Sequence, residues 1–308
     1  MIKPMKQPTY PIIVAAVFLA VVAYSFAPVF IKLLLAEGMD PAWMATLRLG
    51  GSAVFLTPLA LARKTHRTEI RSMSGKQRVA AVLASLFLAG HFVTWILALK
   101  YTTSLASTAI ICTQTIFSAL FSRMILKEKQ SVAILIGLGA SIAGTLVISW
   151  SDLQTMGNMT GSIIAIISSV LIALYYVMGR IARQSVSLTP YTWLVYAMGA
   201  IFLVLYAVIT SPGQCRIPSW NSAVYILGLI FICTYLGHSV VNWALKYTQA
   251  AFISTMTLLQ PIWTYLWGIL ILMETAGQNV FIGAAMILAG LGAYIPINRM
   301  LQKRRAEK

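Results

Sequence analysis

The chain has 308 residues, of which 59% are hydrophobic and only 10% charged, with a net charge of +16. A soluble domain carries about 25% charged residues, so the composition excludes a soluble enzyme and points to an integral membrane protein. The excess of Lys and Arg falls between apolar runs, where it acts as a topology signal and not as a nucleic-acid footprint.

In chain order, ten apolar runs are each near the roughly 20 residues needed to span a bilayer: 12–34, 42–62, 79–99, 103–125, 131–150, 161–181, 190–210, 222–244, 249–272 and 279–298. The first is too long for a signal-peptide core of about 7–15 residues. Turn-forming stretches divide the runs at Gly38 to Pro41, Gly157 to Gly161, Thr189-Pro190 and Ser211 to Pro218. The polar segment from Arg63 to Arg78 reads as a loop. Lys and Arg crowd alternate connections: Lys3 and Lys6, the 63–78 segment, Arg123 to Lys129, Arg180 and Arg183, Lys246, and the tail from Arg299. The other side holds Lys32, Lys100 and Arg216. The positive-inside rule then places both termini in the cytoplasm. With its basic tail and loop, the chain is consistent with a bacterial inner membrane.

One segment occurs twice. Ala98-Leu99-Lys100-Tyr101-Thr102 returns as Ala244-Leu245-Lys246-Tyr247-Thr248, and at that offset Gln114 meets Gln260, Glu128 meets Glu274, Gly137 meets Gly283 and Gly144 meets Gly290. Fifteen of the 50 positions in 98–147 and 244–293 are identical. Farther forward, Pro41 and Gly50 match Pro190 and Gly199 at a slightly larger offset. The expected fold is therefore an all-α integral membrane protein of ten transmembrane helices in two five-helix repeats, 1–153 and 154–308. Because five is odd, the second repeat enters the membrane from the opposite face, which makes the pair inverted.

The ends of the two repeats read Leu126-Lys127-Glu128-Lys129 with Ile136-Gly137 and Ala143-Gly144, and Leu272-Met273-Glu274-Thr275 with Ile282-Gly283 and Ala289-Gly290. With Arg48 in the second run, this pattern resembles the drug/metabolite transporter superfamily, in its ten-helix EamA-type branch, over about residues 12–298. The resemblance implies a basket of helices around a central cavity. It also implies transport of small metabolites, often export of amino acids or related compounds. Lys127 departs from the glycine usual in that family before the glutamate.

All seven acidic residues fall in loops, helix ends or the tail, which leaves no mid-membrane carboxylate for proton relay or cation recognition. His91 and His238, on the third and eighth runs, are the remaining candidates for proton coupling and substrate binding. Trp95 and Asn242 follow them by four and share their helical faces. Gln260, ahead of the helix-kinking Pro261, is the stronger polar candidate of the matched glutamine pair. Tyr175, Trp95 and Trp263 supply aromatic surface. Arg48, a few residues into its run, is expected to anchor by snorkelling or to pair a substrate carboxylate.

No catalytic residue, metal or cofactor is expected, because there is no nucleophile constellation, no His-Glu-x-x-His and no phosphate-binding glycine loop. The expected partners are a small-molecule substrate, the lipid bilayer and, as coupling ion, protons. The expected function is secondary transport of a small metabolite by alternating access. A multidrug exporter of aromatic cations and a passive channel are the alternatives.

Overall fold

The computed structural model describes residues 8–102, 104–128, 159–184 and 186–273, with scattered positions in 139–147 and 279–290. Every regular element among them is helical. Eight helices are long and apolar enough to cross a membrane: α1 Tyr10–Ala36, α2 Pro41–Ala62, α3 Gly75–Tyr101, α4 Ser107–Ile125, α5 Thr160–Ala182, α6 Leu188–Thr210, α7 Trp220–Ala244 and α8 Phe252–Leu272. They coincide with eight of the ten predicted spans. The predicted spans at 131–150 and 279–298 lie largely outside the described residues, as do Asp152, Glu274 and Glu307.

Local chemistry sets the helix starts. Asp40 caps α2, its carboxylate accepting from the amides of Ala42 at 2.9 Å and Trp43 at 3.1 Å, with Pro41 filling the first turn where no amide is needed. Ser74 and Gln77 form a reciprocal capping box at α3. Ser219 caps α7. The segment expected as a loop at 63–78 is instead a short helix, Lys64–Arg71, followed by the first turn of α3. Its residues are polar but good helix formers, and a polar helix needs no apolar stripe when water satisfies it.

Four spans are not regular α-helices, and all four irregularities lie within the bundle. In α1 the winding breaks at Ser25–Phe26. Pro28 there lacks the amide that would bond back to Tyr24. In α4 it breaks between Ile111 and Gln114, and in α8 a tight turn over Thr257–Leu259 precedes Gln260. In α7, residues Leu229–Ser239 wind as a π-helix, and Thr234 Oγ1 donates to the carbonyl of Leu229 five residues back, at 2.8 Å.

Helices interlock across the two sequence halves. α3 packs along α5, and α7 packs along α1, so the third helix of each half lies against the first helix of the other. α2 lies against α6. There Gly199 lets α6 approach Leu49, since an added Cβ would stand 2.6 Å from the Leu49 side chain. The repeated pentapeptide ends both third helices alike: the Thr102 amide bonds the Ala98 carbonyl at 3.0 Å, and the Thr248 amide bonds that of Ala244 at 3.0 Å. A cation from the first helix of each half then meets these ends. Lys32 Nζ donates to Thr102 O at 2.7 Å, and Arg180 Nη1 donates to Leu245 O at 2.7 Å.

Candidate functional site

The irregular segments of α1, α4, α7 and α8 converge with α3 and α5 on one small cavity of about 20 Å³. It is lined by Tyr24, His91, Trp95, Ile111, Gln114, Ile172, Tyr176, His238 and Gln260. That volume holds a water molecule or two and no metabolite. The wall is largely aromatic, with Tyr, His, Trp and Gln as its polar side-chain types.

The two matched glutamines occupy the same place in their broken helices. Gln114 opens the second segment of α4, and Gln260 opens the second segment of α8. The breaks touch. Gln114 Nε2 donates to Thr257 Oγ1 at 2.7 Å, and the Cys112 thiol lies 3.9 Å from the Thr257 carbonyl. Gln114 Oε1 has no hydrogen-bond partner among the described residues. At each break the winding tightens without freeing its amides: the Thr115 amide bonds the Cys112 carbonyl at 3.2 Å, and the Gln260 amide bonds the Thr257 carbonyl.

His91 on α3 is locked. Its Nδ1 is 2.8 Å from Ser168 Oγ and 3.1 Å from the Ser168 carbonyl, while Ser168 Oγ donates to the His91 carbonyl at 3.0 Å. The network is satisfied when Nδ1 carries the proton and donates to the Ser168 carbonyl. The Trp95 ring stacks on His91 at 5.7 Å with 16° between planes, as the four-residue spacing requires.

His238 on α7 is held differently. It stacks on Tyr24 at 5.7 Å and meets Phe92 edge-on at 5.3 Å, and its centroid is 6.5 Å from that of His91. Its Nδ1 is buried without a hydrogen-bond partner among the described residues. Gly237 permits the approach, since an added Cβ there would lie 2.7 Å from the Tyr24 Cβ.

Of the residues singled out from sequence, the structure brings His91, Trp95, His238 and Gln260 together at the cavity. It places three elsewhere. Tyr175 is buried beside the cavity residue Tyr176 and accepts a short hydrogen bond from Asn242 Nδ2. Asn242 thus does not share the facing of His238. The π winding ends at Ser239, so a four-residue step across that boundary no longer returns to one face. Trp263 stands half-buried against Phe18, at 6.0 Å, and Trp267, at 6.1 Å. Tyr24, Tyr176, Gln114, Ile111 and Ile172 complete the wall. The in-register match to Gln260 was the sequence signal for Gln114, and nothing separated Tyr176 from its neighbour.

Arg48 does not snorkel. It is fully buried, its Nε donating to Thr234 Oγ1 at 3.1 Å and its guanidinium lying 3.9 Å over the Phe92 ring. The π turn that carries Thr234 and Tyr235 draws α7 against α2, where Tyr235 donates to the Ser52 carbonyl. That contact holds the arginine inward.

Both ends of the bundle are tied. At the end that carries Lys32, Glu37 accepts from Ser219 and Ser222, and Asp40 accepts from Ser211 at 2.9 Å. At the other end, Glu128 pairs with Arg180 at 3.6 Å, and Glu69 accepts from the Ser187 amide at 2.8 Å. Each of these contacts joins the first half of the sequence to the second.

A bundle with eight described helices long and apolar enough to cross a membrane, tied across its halves at both ends, defines a multi-pass membrane protein. The EamA-like transporter family matches this chain over residues 11–150 and 159–294, and the chain belongs to that family of membrane transporters. It is similar to an uncharacterized transporter of Clostridium kluyveri, 23% identical over 282 residues that cover 89% of this chain and 90% of the relative. A second uncharacterized transporter, from Archaeoglobus fulgidus, is 26% identical over 270 residues, with 85% and 90% covered. A crystal structure described only as that of a protein shares the fold at a TM-score of 0.75 and 15% identity, covering 93% of this chain and 98% of the other.

Proposed function

We propose that the protein is a secondary transporter for a small metabolite, an amino acid or related compound. It would export that compound by alternating access through the cavity lined by His91, Trp95, His238 and Gln260. The observation that carries this reading is the meeting of the two interrupted helices at Gln114 and Gln260. Helices broken near mid-membrane, in equivalent positions of two repeats, are where carriers place their substrate sites.

The interlocking of α3 with α5 and of α1 with α7 supports the inverted five-helix repeat. If each half rocks against the other, the contacts at one end open while those at the other hold. The narrow cavity then corresponds to an intermediate in which the ties at both ends are made. The distribution of Lys and Arg supports cytoplasmic termini in a bacterial inner membrane.

His91 and His238 are the proposed coupling groups. His238 is the better placed, since His91 is engaged by Ser168 whereas the His238 Nδ1 has no hydrogen-bond partner among the described residues. The aromatic wall of Tyr24, Trp95 and Tyr176 is the feature that favours the second reading, an exporter of aromatic cations.

Counterflow in proteoliposomes tests the proposal. Preloaded unlabelled metabolite should drive transient accumulation of the same labelled compound. Uptake that neither saturates nor responds to preloading would identify a channel instead.

A further inference from the structure

The buried charge in the described membrane spans is of one sign. Glu37, Asp40, Glu69 and Glu128 all stand outside the spans. Arg48, by contrast, is fully buried in α2, and its Nη1 and Nη2 have no hydrogen-bond partner among the described residues. The Thr234 hydroxyl and the face of Phe92 are weak substitutes for water around a guanidinium.

One ring separates that guanidinium from the cavity. Phe92 carries Arg48 over its face and His238 against it at 5.3 Å, and His238 is cavity wall with an unpaired Nδ1. All of these features favour an anion. No acidic side chain in the described spans could pair an ammonium.

We infer that the carried molecule is recognised through a carboxylate, with Arg48 as its counter-charge once the Phe92 ring swings aside. The amino group of an amino acid contributes nothing to binding, so the deaminated acid is an equal ligand. This rests on the transport reading above and narrows its substrate class. A planar carboxylate would satisfy both free Nη groups at once, which a hydroxyl or an amine cannot do.

Three triads of fixed skeleton separate charge from shape: phenylalanine, 3-phenylpropionate and phenethylamine; leucine, 4-methylpentanoate and isoamylamine; alanine, propionate and ethylamine. Thermal unfolding of the purified full chain is followed against the concentration of each compound. For at least one skeleton the acid and the amino acid should raise Tm with half-maximal concentrations within about twofold of each other, and the amine should not raise it. Arg48→Gln should abolish the shift, and Arg48→Lys should raise the half-maximal concentration about tenfold, a loss of 1.4 kcal/mol. A shift by any amine overturns the inference. So does an acid shift undiminished in Arg48→Gln, or the lack of an acid shift in all three skeletons. If Arg48→Gln fails to fold, an unchanged concentration dependence in Arg48→Lys overturns it.

Counterflow separates the two levels. Exchange of an amine would leave transport standing and remove the carboxylate requirement. Binding of an acid through Arg48 without counterflow would leave the carboxylate site standing and remove transport.

Discussion

The side-chain amide of Gln114 donates to the hydroxyl of Thr257 at 2.7 Å, joining the break in α4 to the break in α8. In lipid such interhelical bonds contribute about 0.6–1.7 kcal/mol. Thr257→Val should therefore lower the unfolding free energy by about 1 kcal/mol, measured by thermal or SDS-induced unfolding. Adding Gln114→Leu should cost less than the sum of the two single changes, because the shared bond is lost only once. Strict additivity would show that the bond contributes nothing.

Substitutions at the cavity should separate from one at Trp263, which stacks away from it. Gln260→Ala and His238→Ala are expected to reduce counterflow at least tenfold, with the protein still monodisperse in size-exclusion chromatography. Trp263→Phe, which keeps ring stacking against Phe18 and Trp267, should remain within twofold of the parent. His91→Ala should fall between the two, since it removes both a cavity wall and the bond to Ser168. Parent-like flux in both histidine variants would take the histidines out of the mechanism.

Lys127 and Met273 are the described non-glycine residues with positive φ, each at 56°, and they occupy equivalent positions in the two repeats. Each ends a helix in the left-handed conformation, where a Cβ is unfavourable by about 1–2 kcal/mol. Lys127→Gly and Met273→Gly should each raise stability by about 0.5–1 kcal/mol, reduced from the full strain by the greater freedom of glycine in the unfolded chain. Both sites are exposed, so no packing is lost. A fall in Tm for either variant would contradict the strain.

Glu37 tests the tie at the Lys32 end of the bundle. Hydrogen bonds from Ser219 and then Ser222 hold its carboxyl below the usual carboxylate range. A carboxyl whose folded-state pKa is depressed stabilises the protein above its unfolded-state pKa, and that contribution is lost as pH falls through the folded-state value. Glu37→Gln should lower Tm at neutral pH, and the gap to the parent should close on acidification below the ordinary glutamate range. A gap that stays constant with pH would mean the carboxylate charge plays no part.

Much of the membrane architecture was legible because the bilayer forces each span to declare itself in length and hydropathy. Eight of the ten predicted spans coincide with described helices. The Ala98 and Ala244 pentapeptides do adopt the same terminal hydrogen bond. What stayed hidden was winding. Gln260 is followed by a proline that announces its break, but the matching break at Thr113 has no such marker. The π turn over Leu229–Ser239 is written in no motif, and because of it Asn242 faces Tyr175 while His238 faces the cavity. The family position usually held by glycine is filled by Lys127, yet the backbone keeps the glycine-like conformation. The helix-terminating bond from the Glu128 amide to the Ser122 carbonyl, with the Glu128–Arg180 pair, holds that turn. Of the two readings of Arg48, snorkelling fails and the pairing of a substrate carboxylate stays open, because its depth depends on how closely α7 approaches α2.

The smallness of the cavity has a consequence for the cell as a whole. A membrane that stores energy as ion gradients loses it through any continuous file of water. A pocket of about 20 Å³ walled by stacked rings has room for a water molecule or two among the described helices, far short of such a file. On the proposed alternating-access reading, the molecule that wedges those rings apart is itself the key to the path, and proteoliposomes holding the protein without substrate should keep an imposed ion gradient.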